Sequence, residues 1–409
     1  MTSSITSRLQ EALDFLKVSQ QYRHLPDLEH HGRYVTNKGK RLLNIASNDY
    51  LGLGSDSELQ TAFLTQISQQ SMPKMSATSS RLLTGNDTEL QALENDLQQW
   101  YQKAAGTLKD SSPKSALVVN SGYHANIGIL PALTALPVKT LILADKLVHA
   151  SIIDGIRLSQ SKLCTYRRYR HNDYQHLALM IEHAEPAVER IIIVTESIFS
   201  MDGDRADLRK LVQLKAADER IELYVDEAHA VGVLGNQGLG LAEETQTLTD
   251  IDYLVGTFGK AFASVGAYIL CDDVVRQWLI NHMRPLIFST ALPPINHAWT
   301  RFILEKMPQL NHQREHLTAL TLQVRQAINP QHRVSTTQTT SQMNYDSPIV
   351  PYILGDNARA ITKAQQLQNA GFYALPIRPP TVPFNTARIR LVMNAALTDE
   401  DCQRLIEQL

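Results

Sequence analysis

Between about residues 115 and 271 the chain alternates short apolar runs with stretches of helical period, and few folds accommodate that pattern. Ala116–Val119, Leu141–Ala144, Ile191–Val194, Ile221–Val225, Tyr253–Val255 and Ala267–Leu270 have strand length and mostly β-branched content. Runs without a polar alternation have no solvent-facing side, so they predict strands covered on both faces. Tyr123–Leu136, Ser151–Ser159, Tyr174–His183 and Leu208–Ala217, which lie between them, have helical period and length. The pattern predicts an α/β fold with a mostly parallel central sheet covered by helices.

In such sheets ligands gather at the carboxyl ends of the strands. Just past the predicted strands stand Asn120-Ser121-Gly122, Asp145, Glu196 to Ser200, Asp226 to His229 and Thr257 to Lys260. A lone Asp or Ser at such a place is commonly a helix cap or turn residue. Five polar groups at one sheet edge point to a site.

With 409 residues the chain is long enough for two or three domains, and three parts are expected: an N-terminal arm over 1–45, a large domain over 46–294 and a smaller α+β domain over 295–409. The last part contains a polar loop, Ser335–Gln342, and two predicted strands, Ile349–Leu354 and Arg388–Met393. Gly106–Ser115 reads as a surface loop. In the arm, Ile5, Leu9, Leu13 and Leu16 recur at helical spacing, which predicts an amphipathic helix that docks on something. Arg8, Glu11, Asp14 and Lys17 interrupt any apolar leader there.

A formal net charge of −2 argues against a global field for nucleic acid or an anionic membrane. No run approaches the roughly 18 apolar residues of a membrane helix. Cys164, Cys271 and Cys402 form no CxxC pair, so no disulfide framework and no metal site is expected. A reduced, cytoplasmic setting fits that usage.

Three segments carry the chemistry. In Tyr224-Val225-Asp226-Glu227-Ala228-His229 a strand ends in a carboxyl group with an imidazole three positions on. A buried carboxylate needs a cation or several donors, such as a protonated ring nitrogen, although Asp226 as a helix cap beside an ordinary half-buried His229 is an equal reading. In Gly256-Thr257-Phe258-Gly259-Lys260-Ala261 a lysine sits among small and apolar residues, where desolvation penalises an ammonium and suits the amine to a Schiff base. A lysine that snorkels to solvent is the alternative. Asn120-Ser121-Gly122-Tyr123 is a strand-to-helix turn whose backbone donors can hold an anion, or a plain turn. Together these match what pyridoxal 5'-phosphate requires: a phosphate cup, an imidazole face, a carboxyl group for the pyridine nitrogen and a desolvated lysine. The GxGxxG, GxxxxGK[ST], GxSxG and HExxH patterns are absent.

The same segments resemble the α-oxoamine synthases, fold-type I pyridoxal-phosphate transferases that condense an amino acid with an acyl thioester. The likeness runs over nearly the whole chain through Ser47–Leu53, Asp145 with His149-Ala150-Ser151, Glu196–Asp204, the Asp226 and Lys260 segments and Phe288-Ser289-Thr290. Ile377–Pro383 followed by Thr386–Arg390 is most similar to the member that joins L-alanine to a pimeloyl thioester in biotin biosynthesis. The resemblance implies that Lys260 carries the cofactor, Asp226 pairs with the pyridine nitrogen, His149 stacks on the ring, and His229 and Ser200 approach its phenolic oxygen. It implies a phosphate held by Gly122, Tyr123 and Thr257, with Thr290 reaching across from the neighbouring subunit of a homodimer with shared active sites. Arg390 and Asn48 would meet the amino acid, and Arg23 and Thr381 the acyl end.

Where the family carries a histidine-containing stretch, this chain has Asp87-Thr88-Glu89-Leu90, and Ala261–Val265 is bulkier than the family's glycine-rich run. A glycine-using acyltransferase of the same family, or a fold-type I aminotransferase, would share Asp226 and Lys260. Carbon dioxide and free thiol as products, instead of a keto acid, separate the last from the others.

Overall fold

The computed structural model describes residues 4–106, 113–328 and 347–409. It resolves into two compact units, one made of residues 49–318 with Ser347 and the other of residues 4–48, 319–328 and 348–409.

The larger unit is built on a seven-stranded sheet. Its strands lie in the order Ser115–Val119, Ala267–Cys271, Tyr253–Thr257, Ile221–Asp226, Arg190–Glu196, Thr140–Asp145 and Cys164–Tyr169. All six predicted strands are present. Neighbours are parallel except Ala267–Cys271, which runs antiparallel to both of its partners. The five inner strands and Ser115–Val119 are buried nearly throughout, as runs without a polar alternation require. Cys164–Tyr169 is the strand the periodicity did not reveal: Thr165 to Arg168 are exposed, because this strand closes one edge of the sheet.

The helices Gly122–Thr134, Ala150–Leu158, Tyr174–Glu182 and Leu208–Ala217 match the predicted ones to within two residues at each end. A Cβ on Gly155 would stand 2.3 Å from the carbonyl oxygen of Asn126, so the first two of these helices meet backbone against backbone. Parallel register sets Glu196 beside Asp226, with Ala144, the residue before Asp145, beside Val194. The carboxyl-end groups therefore line one edge of the sheet.

In the smaller unit, Lys40–Asn44 pairs antiparallel with Tyr34–Asn37 and parallel with Phe372–Tyr373, and the Val392 N–H donates to the Ile45 carbonyl. Val35, Leu42 and Tyr373 share a small core with Leu28 and Ala46. The N-terminal stretch is thus tied to C-terminal strands instead of forming a separate arm, while residues 295–318 lie with the larger unit. A three-stranded sheet of Ile349–Gly355, Ala387–Val392 and Pro376–Ile377 completes the unit with helices Asn357–Asn369 and Asp399–Ile406. The predicted N-terminal helix forms over Ile5–Val18, capped by Ser4, and none of its residues is buried in the single chain. Ser335–Gln342 and most of the Gly106–Ser115 loop lie outside the described residues. Among the described residues, no helix is long and apolar enough to cross a membrane.

One glycine tests the packing next to the site. A Cβ on Gly256 would fall 2.2 Å from Cζ of the fully buried Tyr268 ring on the adjacent strand. We expect Gly256→Ala to destabilise the protein by about 1–3 kcal/mol or more, because a close-packed core has no room to yield. An unchanged urea midpoint would contradict this packing.

Candidate active site

The strand Ile221–Asp226 is apolar until its last residue, and Asp226 stays buried. Its carboxyl group is satisfied by donors from two directions: Asn126 Nδ2 donates to Oδ2 at 2.9 Å and the Ala228 N–H to Oδ1 at 2.9 Å. Asn126 lies one turn into the helix that begins at Gly122. Its second amide hydrogen goes to Ser151 Oγ at 2.9 Å, and its oxygen accepts from the Tyr224 hydroxyl. Every polar group of this buried amide is therefore used.

The chain of donors continues to His149, which caps the helix Ala150–Leu158. His149 Nδ1 accepts the Ser151 N–H at 3.2 Å and stands 2.7 Å from Ser151 Oγ, whose hydrogen is free to point at it because Oγ accepts from Asn126. Nδ1 as an acceptor leaves the ring proton on Nε2. Burial lowers the His149 pKa, which keeps the imidazole neutral.

Lys260 follows the Tyr253–Thr257 strand, and its Nζ lies 2.8 Å from His229 Nε2. The other ring nitrogen, Nδ1, lies 2.5 Å from the hydroxyl of the fully buried Tyr50. Amine, imidazole and phenol thus form one row along which a proton can be exchanged.

The turn after Ser115–Val119 places Ser121 as the cap of the Gly122–Thr134 helix, accepting the His124 N–H at 3.2 Å. A Cβ on Gly122 would lie 3.8 Å from Thr257 Oγ1, so the helix N-terminus and Thr257 are neighbours. Thr257 Oγ1 is oriented by donating to the Gly266 carbonyl and accepting the Gly259 N–H. Within the same chain, the Thr290 carbonyl accepts from Asn120 Nδ2 at 2.8 Å. Ser200 lies in the turn after the Arg190–Glu196 strand.

Glu196 is an addition that the periodicity did not single out by role. It is 2 % exposed, aligned with Asp226, and its Oε1 has no hydrogen-bond partner among the described residues. Burial, reinforced by the like charge of Asp226, pushes its carboxyl well above the usual range.

A helix N-terminus that opens on a glycine beside Thr257, a carboxyl group at the strand end, a neutral imidazole and an amine facing a second imidazole fit a phosphorylated pyridine aldehyde. The sequence pattern of the family described as Aminotransferase class I and II matches residues 40–409. The chain belongs to that family. A Haemophilus influenzae protein named "Putative 8-amino-7-oxononanoate synthase" is 52% identical over 399 residues, spanning 98% of this chain and 99% of its own length. Among solved structures, a lysine-to-alanine serine palmitoyltransferase from S. paucimobilis with a bound PLP–myriocin aldimine has a TM-score of 0.82 at 25% identity, covering 99% of this chain and 97% of its own. An 8-amino-7-oxononanoate synthase from Francisella tularensis has a TM-score of 0.68 at 25% identity, covering 90% and 96%. The fold is that of the fold-type I transferases, and the cofactor of this aminotransferase-class enzyme is pyridoxal 5'-phosphate.

In the smaller unit two further pairs of predicted residues meet. Arg390 Nη1 donates to Asn48 Oδ1 at 3.0 Å, and Arg23 Nη2 to Thr381 Oγ1 at 3.1 Å. Arg378 donates to the Gln20 carbonyl at 2.5 Å, and burial together with the nearby Arg23 lowers its pKa.

The sequence reading left Tyr50, Asn126, Ser151 and Tyr224 without a role. The one available signal was Asn126 itself, an amide in a helix that is otherwise almost wholly apolar beyond its first turn. Asn126→Ala would leave Asp226 Oδ2 and the Tyr224 hydroxyl without this partner. We expect a loss of about 1–3 kcal/mol for each buried group so stranded, read as a lower urea midpoint. An unchanged midpoint would show that Asn126 does not support Asp226.

Proposed function

We propose that this enzyme is an acyltransferase that condenses L-alanine with a pimeloyl thioester, releasing carbon dioxide and free thiol and giving 8-amino-7-oxononanoate for biotin biosynthesis. In the same reading it works in the cytoplasm as a homodimer with shared active sites, and Thr290 serves the neighbouring subunit's cofactor phosphate. The observation that carries the substrate choice is the pairing of Arg23 with Thr381, with Arg378 beside them. Two guanidinium groups suit an acyl chain that ends in a carboxylate, which an acetyl donor lacks. The 52% identity to the Haemophilus influenzae relative supports the same choice.

Bound pyridoxal phosphate supplies an electron sink for the charge that builds at the substrate carbon. Lys260 would anchor the cofactor covalently, and its free amine would be the base that takes the Cα proton. His229 Nε2, at 2.8 Å, is positioned to share that proton, and Tyr50 fixes the ring from its other side. Asp226 keeps the pyridine nitrogen protonated, and Asn126 and the Ala228 N–H hold the carboxyl group in place for that task. Neutral His149 offers its flat face to the ring without adding charge. Gly122, Tyr123 and Thr257 hold the phosphate, and Ser200 joins His229 at the phenolic oxygen.

Arg390, oriented by Asn48, binds the amino-acid carboxylate. That carboxylate is the group later lost as carbon dioxide, after the new carbon–carbon bond has formed and the thiol has left. A proton returned to the same carbon completes the amino ketone.

Two variants test the reading. Lys260→Ala should abolish thiol release and the visible absorbance of the bound cofactor, and retention of both would remove the lysine from its role. Arg23→Ala should raise KM for the pimeloyl thioester by about tenfold to a hundredfold, the worth of a charge-assisted hydrogen bond, with KM for alanine unchanged. Thiol release only from an acetyl thioester with glycine, or a keto acid as product, would overturn the proposal.

A further inference from the structure

One cluster of ionisable groups lies beside the residues given roles above and has none of its own. The Thr140–Asp145 strand ends on Asp145, which is fully buried, and the chain reaches His149 four residues later. The Arg190–Glu196 strand leads into a turn that holds Ser200 and returns at Asp204, 4 % exposed. His171, just past the edge strand Cys164–Tyr169, stands between the two acids. Its Nδ1 is 2.9 Å from Asp145 Oδ1 and its Nε2 is 2.7 Å from Asp204 Oδ2.

Neutral imidazole carries one proton and can donate to one acid alone, leaving a lone pair against the other carboxylate. With both acids ionised, the two contacts are satisfied together only by the doubly protonated cation, which gives two buried carboxylates one counter-charge. Asn172 reinforces the arrangement: its N–H donates to Asp145 Oδ2 at 2.9 Å and its Nδ2 to Asp204 Oδ2 at 2.8 Å. It does so from a left-handed backbone, φ +49°, a conformation that asparagine tolerates better than most residues. The tip of the turn is gripped as well. The Phe199 ring meets His171 edge-on at 4.4 Å, the Phe199 N–H donates to the Asp204 carbonyl, and the Gly203 N–H to the Phe199 carbonyl.

We propose that His171, as an imidazolium bridging Asp145 and Asp204, is a positioning residue that locks the Ser200 turn to the strand end leading into His149. It touches neither cofactor nor substrate. It acts by fixing the two segments from which His149 and Ser200 reach the cofactor, so its effect on turnover rests on the functional reading above.

The groups that face it set its titration. Asp145 and Asp204 are in direct contact, Tyr169, Tyr174 and Glu196 lie in their electrostatic surroundings, and Asp207 faces Tyr174. Burial alone would lower the His171 pKa, but the hydrogen bonds and charges of the two acids outweigh it and raise the pKa to about 10. A histidine pKa raised on folding stabilises the folded state fully below its unfolded value of 6.5 and loses that contribution as pH rises through about 10.

The test uses the full-length enzyme with its cofactor. Nitrogen-15 histidine NMR at pH 8.5, with the His171 signal assigned by its loss in His171→Gln, should show both ring nitrogens protonated. A bare nitrogen there overturns the proposal whatever the enzyme's substrate is. In turnover of alanine with pimeloyl-CoA, His171→Gln should lower kcat by about tenfold to a hundredfold, the cost of a small misplacement, with alanine KM within about twofold. His171→Gln with Asp204→Asn restores the net charge of the cluster and should recover most of kcat. A double variant no better than the single one, or a single variant equal to wild type, contradicts the positioning role. Wild-type enzyme that shows the imidazolium but fails with these substrates refutes the functional reading and leaves the electrostatic bridge standing.

Discussion

A carboxyl group at the end of an apolar strand is the constraint from which the rest of the site follows. Asp226 ends a run buried on both faces, where an unsatisfied acid would cost several kcal/mol. The fold meets that demand with Asn126, whose position is set by the close approach of two helices at Gly155. The same amide reaches Ser151, and Ser151 sets the tautomer of His149. The acid, the amide and the imidazole are thus one hydrogen-bonded unit.

Charge is distributed along the carboxyl edge of the sheet with little waste. Asp226 accepts from Asn126 and the Ala228 N–H, while Glu196 in the neighbouring register position is driven toward its neutral form by burial and by Asp226 itself. Asp145 and Asp204 face opposite nitrogens of one imidazole, His171. Four acids stand near one strand edge, and they meet burial in three different ways. In the smaller unit the guanidinium groups of Arg390 and Arg23 donate to Asn48 and Thr381, two neutral partners.

Much of this was legible in the sequence where burial leaves a compositional mark. The inner strands have no polar alternation, so their number and approximate limits could be read directly, and Lys260 and Asp226 stood out as ionisable residues in apolar surroundings. The edge strand Cys164–Tyr169 was silent because Thr165 to Arg168 face solvent. The strands between Leu28 and Asn44 were silent too, since only Val35, Leu42 and Leu43 among them are buried. Tyr50 and Asn126 could not be assigned because their partners, His229 and Asp226, are distant in the chain and meet only through the fold. The one antiparallel strand of the seven-stranded sheet, Ala267–Cys271, is as apolar as its parallel neighbours, so its direction left no trace.

The central claim is that Asp226, held by Asn126 and the Ala228 N–H, keeps the pyridine nitrogen of the cofactor protonated. Nitrogen-15 NMR of the full-length protein carrying pyridoxal phosphate labelled at that nitrogen reads its protonation directly. A protonated nitrogen in wild type that loses its proton in Asp226→Asn is the predicted result. An unprotonated nitrogen in wild type, or a signal unchanged in Asp226→Asn, would contradict the account.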